Sequence, residues 1–211
     1  MLPGFERLVA TCRRYQLPLE LSPSARDAPG AGALLLGQPV DPLLAAVYER
    51  VGRSRVGDLS LYGPGEGEYG LRWMNELLRG AGHEVFLASV VFGQLPSLAY
   101  YFAVVPRLAD PHGLQPVIFI DDNLEKQVLP IASNVDRFFD VYARALEDFA
   151  SVTDAQYRDW ADIDHPPPSP ELLAGDHALV ELLQAGRFDG LVSTDPESQE
   201  WVQQVLHASK R

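Results

Sequence analysis

The chain has a single cysteine, Cys12, among its 211 residues. One thiol cannot form an intramolecular disulfide, and it cannot supply the several thiolates of a structural zinc site. Cys12 falls on the apolar side of a helix predicted over residues 4–15, and no neighbouring histidine is placed to make it a thiolate. We therefore interpret it as a core residue and not as a nucleophile, in a protein of the reducing cytoplasm.

Histidine is also scarce, and its five copies are dispersed. None of them shows the i, i+4 or H-E-x-x-H spacing that places two imidazoles on one metal, so we expect exposed surface residues. The G-x-S-x-G elbow, the Walker loop and the C-x-x-C pair are missing as well. The sequence thus predicts no catalytic residue, no metal site and no cofactor. The histidines are His83, His112, His165, His177 and His207.

Basic residues are few relative to acidic ones: 17 Lys and Arg stand against 29 Asp and Glu, which gives a formal net charge of -12. Such a surface repels phosphate backbones and anionic lipids, and it attracts basic partners. Apolar runs are far shorter than a membrane span, and Glu6 and Arg7 interrupt the segment where a signal peptide needs an apolar core. We expect a soluble, cytoplasmic protein that binds neither nucleic acid nor membranes. The alternative is an acidic surface that serves solubility alone.

One glycine pattern is typical of a dinucleotide-binding loop. Residues 65–70, GEGEYG, match G-x-G-x-x-G between a predicted strand at 58–62 and a predicted helix, LRWMNELLRGAG. However, Glu66 and Glu68 would face the pyrophosphate, and the next predicted strand ends without the acid that holds a ribose. We therefore interpret the segment as a flexible connection. The residues predicted to form the buried face of the following helix are Trp73, Met74, Leu77 and Leu78.

Asp121 and Asp122 end a predicted strand, where metal-binding or acid/base carboxylates often lie. The sequence that follows, DDNLEKQVL, lacks the alternating oxygen ligands, the Gly and the distal Glu of a calcium loop. Asp and Asn commonly form turns because their side chains bond to nearby backbone. We therefore predict a hairpin turn between the strands QPVIFID and KQVLPIA.

Other patterns complete the predicted fold. Asp41 should cap a helix that begins at Pro42 and ends at Gly52. The segments HEVFLASVVF and SLAYYFAVVP read as further strands, spaced closely enough to be antiparallel neighbours. A long helix with an aromatic stripe follows VLPIA, and Ser133 and Asp136 form its predicted capping box. Residues 22–33 are predicted to be a surface loop.

The C-terminal part begins with a linker signal, DIDHPPPSP at residues 162–170, because three consecutive prolines favour extended backbone. We predict an α+β domain over 1–161, this linker, and a helical extension over 171–211. In the extension, one helix is expected around 176–186 and another is capped by Asp195. Its apolar faces are too small for a separate core, so it should dock on the main domain or on another chain.

The order of these parts resembles the SUKH superfamily, which groups bacterial toxin-immunity proteins with fungal cell-wall regulators of the Smi/Knr type. The residues that carry the resemblance lie within about 36–150: LGQPVDPLLAAVYERVG, DLSLY, QPVIFIDD and VLPIASNVDRFFDVYARAL. The chain departs from the simplest members by its insertion at 63–70 and its tail after residue 165. The resemblance implies a single mixed, largely antiparallel sheet with helices packed on it, no cofactor, and function by binding a protein. Most bacterial relatives neutralise a cognate toxin, often a nuclease or a nucleic-acid deaminase, by covering it.

The acidic charge, the missing catalytic set and the resemblance together predict a non-enzymatic immunity protein with a basic toxin as its partner. Two alternatives stay open: a scaffold or regulatory adaptor that binds a different partner, and an enzyme whose carboxylates converge only in the fold. The predicted protein-binding residues are Glu66, Glu68, Asp121, Asp122 and Glu125.

Overall fold

The computed structural model describes residues 1–24, 28–65, 67–95, 98–123, 127–153, 169–192 and 196–210. Within those ranges the main feature is a seven-stranded sheet, in which every pair of neighbouring strands is antiparallel. Helices pack on the sheet and also form the C-terminal part of the chain, which confirms the predicted α+β class.

The strands of the large sheet follow the order β1-β4-β5-β6-β7-β8-β9, and β2 pairs with β3 in a separate small sheet. The described strands are β1 (Leu19–Pro23), β2 (Leu34–Leu35), β3 (Gln38–Pro39), β4 (Val51–Val56), β5 (Leu59–Leu61), β6 (Val90–Leu95), β7 (Tyr100–Val104), β8 (Val117–Asp121) and β9 (Gln127–Ala132). The described helices are α1 (Pro3–Tyr15), α2 (Pro42–Tyr48), α3 (Leu71–Gly80), α4 (Glu84–Ala88), α5 (Val135–Val152), α6 (Pro170–Leu173), α7 (His177–Gln184) and α8 (Pro196–Ala208), with a 3-10 turn at Pro106–Leu108.

An aromatic cluster joins α5 to one face of the sheet. The Phe138 ring centroid lies 5.0 Å from that of Phe102 on β7 and 5.6 Å from that of Phe92 on β6. Phe139 and Tyr142 extend the cluster along the helix, and all five side chains are fully buried. The tilted and edge-on contacts suit the ring quadrupoles. The predicted aromatic stripe of the long helix is therefore confirmed.

The start of α5 differs from the predicted capping box. The N-cap residue is Asn134, whose side-chain oxygen accepts the N–H of Arg137 at 3.0 Å. Asp136 faces the start of α1 instead, where its Oδ1 accepts the N–H groups of Gly4 at 2.9 Å and Phe5 at 3.3 Å. A carboxylate on one helix thus satisfies free N–H groups of another. The S-x-x-D prediction was wrong because the motif ignores a second helix packed alongside.

Asp41 caps α2 as predicted, since its Oδ1 accepts the N–H groups of Leu43 at 2.8 Å and Leu44 at 2.9 Å. The predicted end of the helix at Gly52 is wrong, because α2 stops at Tyr48 and β4 begins at Val51. We did not predict this strand, because its sequence, VGRSRV, is polar. One side of the strand is buried and the other is partly exposed.

Two further boundaries differ from the prediction. Ser22 and Pro23, which were expected in a loop, are the last residues of β1 and lie beside β4. The segment HEVFLASVVF is not one strand: it divides into α4 and the first part of β6. The predicted strands that became β5, β7, β8 and β9 are confirmed.

α3 lies beside β6 at the point where β5 ends. Its buried Asn75 forms hydrogen bonds with the part of β6 that β5 does not reach. The last paired residues of β5 and β6 are Leu61 and Gly93. Beyond them, Asn75 Nδ2 donates to the carbonyl oxygen of Val91 at 2.7 Å, and Asn75 Oδ1 accepts the Val91 N–H at 2.8 Å. The side-chain amide therefore makes the two bonds that a further strand residue would make.

The C-terminal helices contact the main sheet through β9 and also contact α5. Asp176 joins the two parts: its Oδ2 accepts the N–H of Ser133 at 2.8 Å, and its Oδ1 accepts the N–H of Leu179 at 3.2 Å. The apolar side chains of this segment belong to the same buried cluster as the sheet. Most of the predicted linker, and the predicted cap Asp195, lie outside the described residues, whereas Pro170 is the first residue of α6. No helix in the described part of the chain is long and apolar enough to cross a membrane.

Candidate protein-interaction surface

The structure separates the predicted contact residues. Glu68 is exposed in the turn between β5 and α3, while Asp121 ends β8 and Asp122 follows it, both half-buried. β5 and β8 run in opposite directions, because three antiparallel pairings separate them in the sheet. Their carboxyl ends, and the turns that follow, therefore lie at opposite ends of the sheet. Glu66 and Glu125 lie outside the described residues.

The Asp121 turn is the predicted hairpin. Asp121 pairs with Gln127, so β8 and β9 are antiparallel neighbours. Asp121 Oδ1 accepts from the backbone N–H of Asn123 at 2.9 Å and from its Nδ2 at 2.7 Å, while the Asp122 N–H donates to the carbonyl of Ala99 at 2.7 Å. The two bonds to Asn123 are local bonds of a turn, whereas the bond to Ala99 continues the pairing of β8 with β7.

Two tyrosines stand beside those carboxylates. Burial raises the pKa of Tyr100, and the charge of Asp121 adds to the effect. Burial also raises the pKa of Tyr101, with a further contribution from Asp122. Both phenols therefore stay protonated at neutral pH and can donate hydrogen bonds.

Metal-binding residues do not gather in the described part of the chain. No group of three or more His, Cys, Asp or Glu side chains among those residues is placed to hold a metal ion. The four described histidines are exposed, as predicted, and His165 lies outside the described ranges. The exposed set is His83, His112, His177 and His207.

Asp58, Tyr142 and Cys12 form a buried polar cluster that sequence patterns did not predict. The Tyr142 hydroxyl donates to Asp58 Oδ1, and Cys12 is fully buried near the same carboxyl. Burial raises the pKa of Asp58, and the bond from Tyr142 opposes that effect. Burial also raises the pKa of the Cys12 thiol to about 11, which agrees with its interpretation as a core residue.

Four exposed side chains on and beside α3 form what we call the α3 patch: Arg53 of β4, Tyr69 of the turn before α3, and Trp73 and Leu77 of α3 itself. The Tyr69 and Trp73 ring centroids are 5.8 Å apart, and the Arg53 guanidinium lies 4.7 Å from the centre of the Tyr69 ring. Tyr69 is 42 % exposed, Trp73 37 % and Leu77 56 %. Trp73 and Leu77 are four residues apart, so they lie on the same side of the helix.

Two residues of the α3 patch, Trp73 and Leu77, were predicted to lie on the buried face of the helix, and that part of the prediction is wrong. Met74 and Leu78 are buried as expected, but Trp73 and Leu77 are not. In each apolar pair, Trp73–Met74 and Leu77–Leu78, the first residue is exposed to solvent and the second is buried in the core. The residues of α3 that point inward are Leu71, Met74, Asn75 and Leu78.

The described residues at the two ends of the glycine-rich turn are held together by their backbones. Gly63 and Gly70 form an isolated β-bridge, and the N–H of Leu71 donates to the Gly63 carbonyl at 2.7 Å. A Cβ on Gly70 would lie 2.3 Å from the Gly65 carbonyl oxygen, so the glycine permits a close backbone approach. Tyr69 itself has a φ of 62°, a left-handed conformation that is strained for an aromatic residue. These contacts join the two ends of the segment that we predicted to be a flexible connection.

Three arginines form a network of ion pairs between α1 and α5. Arg7, Arg137 and Arg144 approach the Asp140 carboxylate at 3.1, 3.2 and 3.2 Å, and Arg7 also approaches Glu147 at 2.6 Å. The hydrogen bond from Arg7 holds the pKa of Glu147 below its ordinary value. These partly exposed pairs contribute modestly to stability.

A cleft of about 470 Å³ lies between the segment before β8 and α7. Leu114 and Leu182 contribute apolar walls, and Asp110 and Glu181 contribute carboxylates. Asp110 Oδ1 already accepts the backbone N–H groups of His112 and Leu114, each at 2.8 Å. The Asp110 carboxylate therefore stabilises the loop that contains it.

Comparison with known proteins gives no functional assignment. No protein-family model matches the chain, and no curated protein or solved structure matches it. The function must therefore be inferred from the chain's own residues.

Proposed function

We propose that this chain is a non-enzymatic, immunity-type protein that binds and covers a basic toxin. The observation that carries the proposal is the excess of acidic residues, which gives a formal net charge of -12. The resemblance to the SUKH superfamily supports the same function.

Electrostatics connects this surface to toxin neutralisation. An enzyme that acts on nucleic acid carries basic groups for the phosphate backbone. An acidic protein is attracted to the same groups, so its binding excludes the polyanionic substrate. Opposite charges also accelerate encounter, while a few buried contacts determine how long the complex lasts.

Co-expression with the protein encoded beside this chain's gene tests the proposal. The neighbouring protein should stop growth when expressed alone, and co-expression of this chain should restore growth. If the neighbour is harmless, or if its toxicity persists, the immunity function is wrong. An adaptor function would then be favoured if loss of the neighbour did not rescue a deletion of this chain.

Binding kinetics tests the electrostatic argument separately. Reversal of charge at Glu68, Asp121 and Asp122 to Lys should lower the association rate about tenfold and weaken its dependence on salt. Glu49→Lys supplies a matched control, because Glu49 is exposed but lies outside the predicted contact set. An association rate equal to that of the control would contradict a role for the predicted residues.

A further inference from the structure

We infer that the cleft beside α7 receives a lysine or arginine side chain of the basic partner, with its cationic end near the carboxylates of Asp110 and Glu181. Its aliphatic part would pack against Leu114 and Leu182. This α7 cleft is the one of about 470 Å³ between the segment before β8 and α7. The inference rests on the proposed function and adds the place and chemistry of one contact.

One side of α7 forms a wall of the α7 cleft. Ala178, Glu181 and Leu182 of α7 line it, together with Ala185 just after the helix. They are three or four residues apart, so they lie along the same side of the helix. The two alanines are small and leave open space beside the helix. The volume falls in the range of about 300–1,000 Å³ that is usual for ligand sites, so the cleft can accept a long side chain.

The facing wall comes from the chain before β8 and is largely apolar. Leu114 on this wall and Leu182 on α7 are both half-buried. Long basic side chains lay their methylene groups along such apolar surface and keep the charged end near water or a carboxylate. An inorganic cation would gain nothing from these walls. The apolar residues of the facing wall are Leu108, Pro111, Leu114 and Pro116.

The charges at the α7 cleft favour a cation. Of the described residues that line it, Asp110 and Glu181 are acidic and Arg187 is basic. A third carboxylate, that of Asp176, lies behind the lining, because it accepts the N–H of Ser133, which also lines the cleft. In this part of the described structure, three carboxylates therefore stand against one guanidinium, and a positive ligand is attracted.

Other basic groups near the α7 cleft are engaged or lie elsewhere. Arg137 donates to the Gly175 carbonyl at 3.0 Å and to the Asp140 carboxylate at 3.2 Å. Arg107 lines a different cleft, beside α4. The two acidic residues that line the α7 cleft form no ion pair with any residue that the structure describes. Their charge is therefore available to a partner.

The walls of the α7 cleft are joined to each other before any partner binds. Asp176 accepts the N–H of Ser133, just after β9, at 2.8 Å and the N–H of Leu179, in α7, at 3.2 Å. On the facing wall, Asp110 accepts two N–H groups of its own loop. A site that is already formed loses little conformational freedom on binding, so more of the contact energy appears as affinity.

The position of the α7 cleft ranks the predicted contact residues. The cleft lies at the end of the sheet where β8 begins, and β5 runs opposite to β8. Glu68, which follows β5, therefore lies at the same end of the sheet, whereas Asp121 and Asp122 lie at the other end. Glu68→Lys should slow association with the basic partner more than the paired change Asp121→Lys and Asp122→Lys.

Capped pentapeptides test the α7 cleft without knowledge of the natural partner. The peptide Gly-Leu-Lys-Leu-Gly should bind the full chain and shift the amide NMR signals of the residues that line the cleft. The same peptide with Gln or Glu in place of Lys should bind at least about fivefold more weakly, because it lacks the cationic end.

Variants of the lining residues test the sign of the charge. Glu181→Gln should weaken binding of the Lys peptide about fivefold, whereas Arg187→Gln should strengthen it about threefold, because it removes a repelling charge. Ala178→Leu fills part of the cleft and should weaken binding about tenfold. Glu49→Gln is the matched control, because Glu49 is exposed and does not line the cleft, and it should change binding less than about twofold.

Each outcome decides the inference. It would be overturned by a Lys peptide that does not bind at about 10 mM, or by equal binding of the Lys and Gln peptides. Tighter binding of the Glu peptide, or weaker binding of the Lys peptide to Arg187→Gln, would also overturn it. A dimer that is detected by sedimentation and lost in Ala178→Leu would assign the cleft to a second copy of the chain and overturn it as well.

The neighbouring protein separates this inference from the proposed function. If that protein binds, and Ala178→Leu leaves its dissociation rate unchanged, the place of the contact is wrong while the immunity function stands. If the Lys peptide binds in the α7 cleft and the neighbouring protein does not bind, the immunity function is wrong while the site stands.

Discussion

Asn75 and Val91 are joined by two hydrogen bonds, one from the Asn75 side-chain amide to the Val91 carbonyl and one from the Val91 N–H to the Asn75 side-chain oxygen. Asn75 is 1 % exposed, and its Nδ2 also donates to the Leu71 carbonyl at 2.8 Å. α3, the helix that carries Trp73 and Leu77, is therefore fixed to the sheet by a polar side chain as well as by apolar packing.

Asn75→Ala should destabilise the protein, because it leaves the buried N–H and C=O of Val91 without these partners. Each unsatisfied group costs about 1–3 kcal/mol, so we expect a loss of about 3 kcal/mol in the free energy of unfolding. Urea denaturation measures this loss. Glu76→Ala, at the adjacent exposed position of α3, should change stability by less than about 0.5 kcal/mol. Equal effects of the two substitutions would contradict a structural role for the Asn75 amide.

Gly4→Ala should force α1 and α5 apart. A Cβ at Gly4 would lie 2.0 Å from the backbone oxygen of Asp136, a distance that neither backbone can accept without moving. We expect a loss of about 2–4 kcal/mol, since overpacking of this kind disturbs a tightly packed contact. Gly30→Ala is the matched control, because a Cβ at Gly30 would meet nothing within 4 Å and the backbone there is compatible with alanine. The thermal midpoints of both variants can be compared directly, and a Gly4→Ala midpoint equal to that of the control would refute the close contact.

Phe138→Ala should cost about 3–5 kcal/mol, because the ring is fully buried and a cavity would remain among its aromatic neighbours. Leu77→Ala, which removes a large apolar side chain from the surface, should have a much smaller effect. Chemical denaturation of the two variants under the same conditions gives the comparison. A small loss for Phe138→Ala would mean that the aromatic cluster can collapse around the missing ring.

Asp58→Asn should alter how stability depends on pH. Burial raises the pKa of Asp58 in the folded protein above its ordinary unfolded value of about 3.9. The stability that this group contributes is therefore complete below the unfolded value and is lost as pH rises through the folded pKa, where the buried carboxyl becomes charged. The stability of Asp58→Asn relative to the natural protein should accordingly increase between acidic and neutral pH.

Urea denaturation over a pH series measures that difference. Tyr142→Phe is the companion variant: it removes the hydrogen bond that lowers the pKa of Asp58, so this pKa rises further. The fall in stability starts from the same unfolded pKa and should therefore continue to a higher pH. A stability difference that stays constant with pH for Asp58→Asn would show that the carboxyl does not change protonation over this range.

The parts of the fold that sequence predicts best are those in which one pattern decides the outcome. β7, β8 and β9 are short and rich in branched and aromatic residues, and α5 has an unbroken helical period. β4 was missed because its sequence, VGRSRV, has two arginines and few of the branched and aromatic residues that are typical of strands. The role of Asp136 was missed because its partners are more than 130 residues away. Local patterns contain no information about such contacts.

The candidate surface was predicted only in part, and for a related reason. Glu68 could be chosen from its charge and from its place in a turn. Trp73 and Leu77 could not, because an apolar residue on an amphipathic helix is expected to face the core. They are exposed because Leu71, Met74, Asn75 and Leu78 form the side of α3 that is buried against the sheet.

The position of the C-terminal helices has a consequence for aggregation. β1 and β9 are the outermost strands of the sheet, and outermost strands can add strands from other molecules. β9 is apolar and largely buried, and α7 and α8 lie against it, whereas the side chains of β1 are mostly exposed. A chain that ends before α6 would expose β9 while leaving its sequence intact. The terminal helices thus keep this apolar outermost strand from pairing with strands of other molecules.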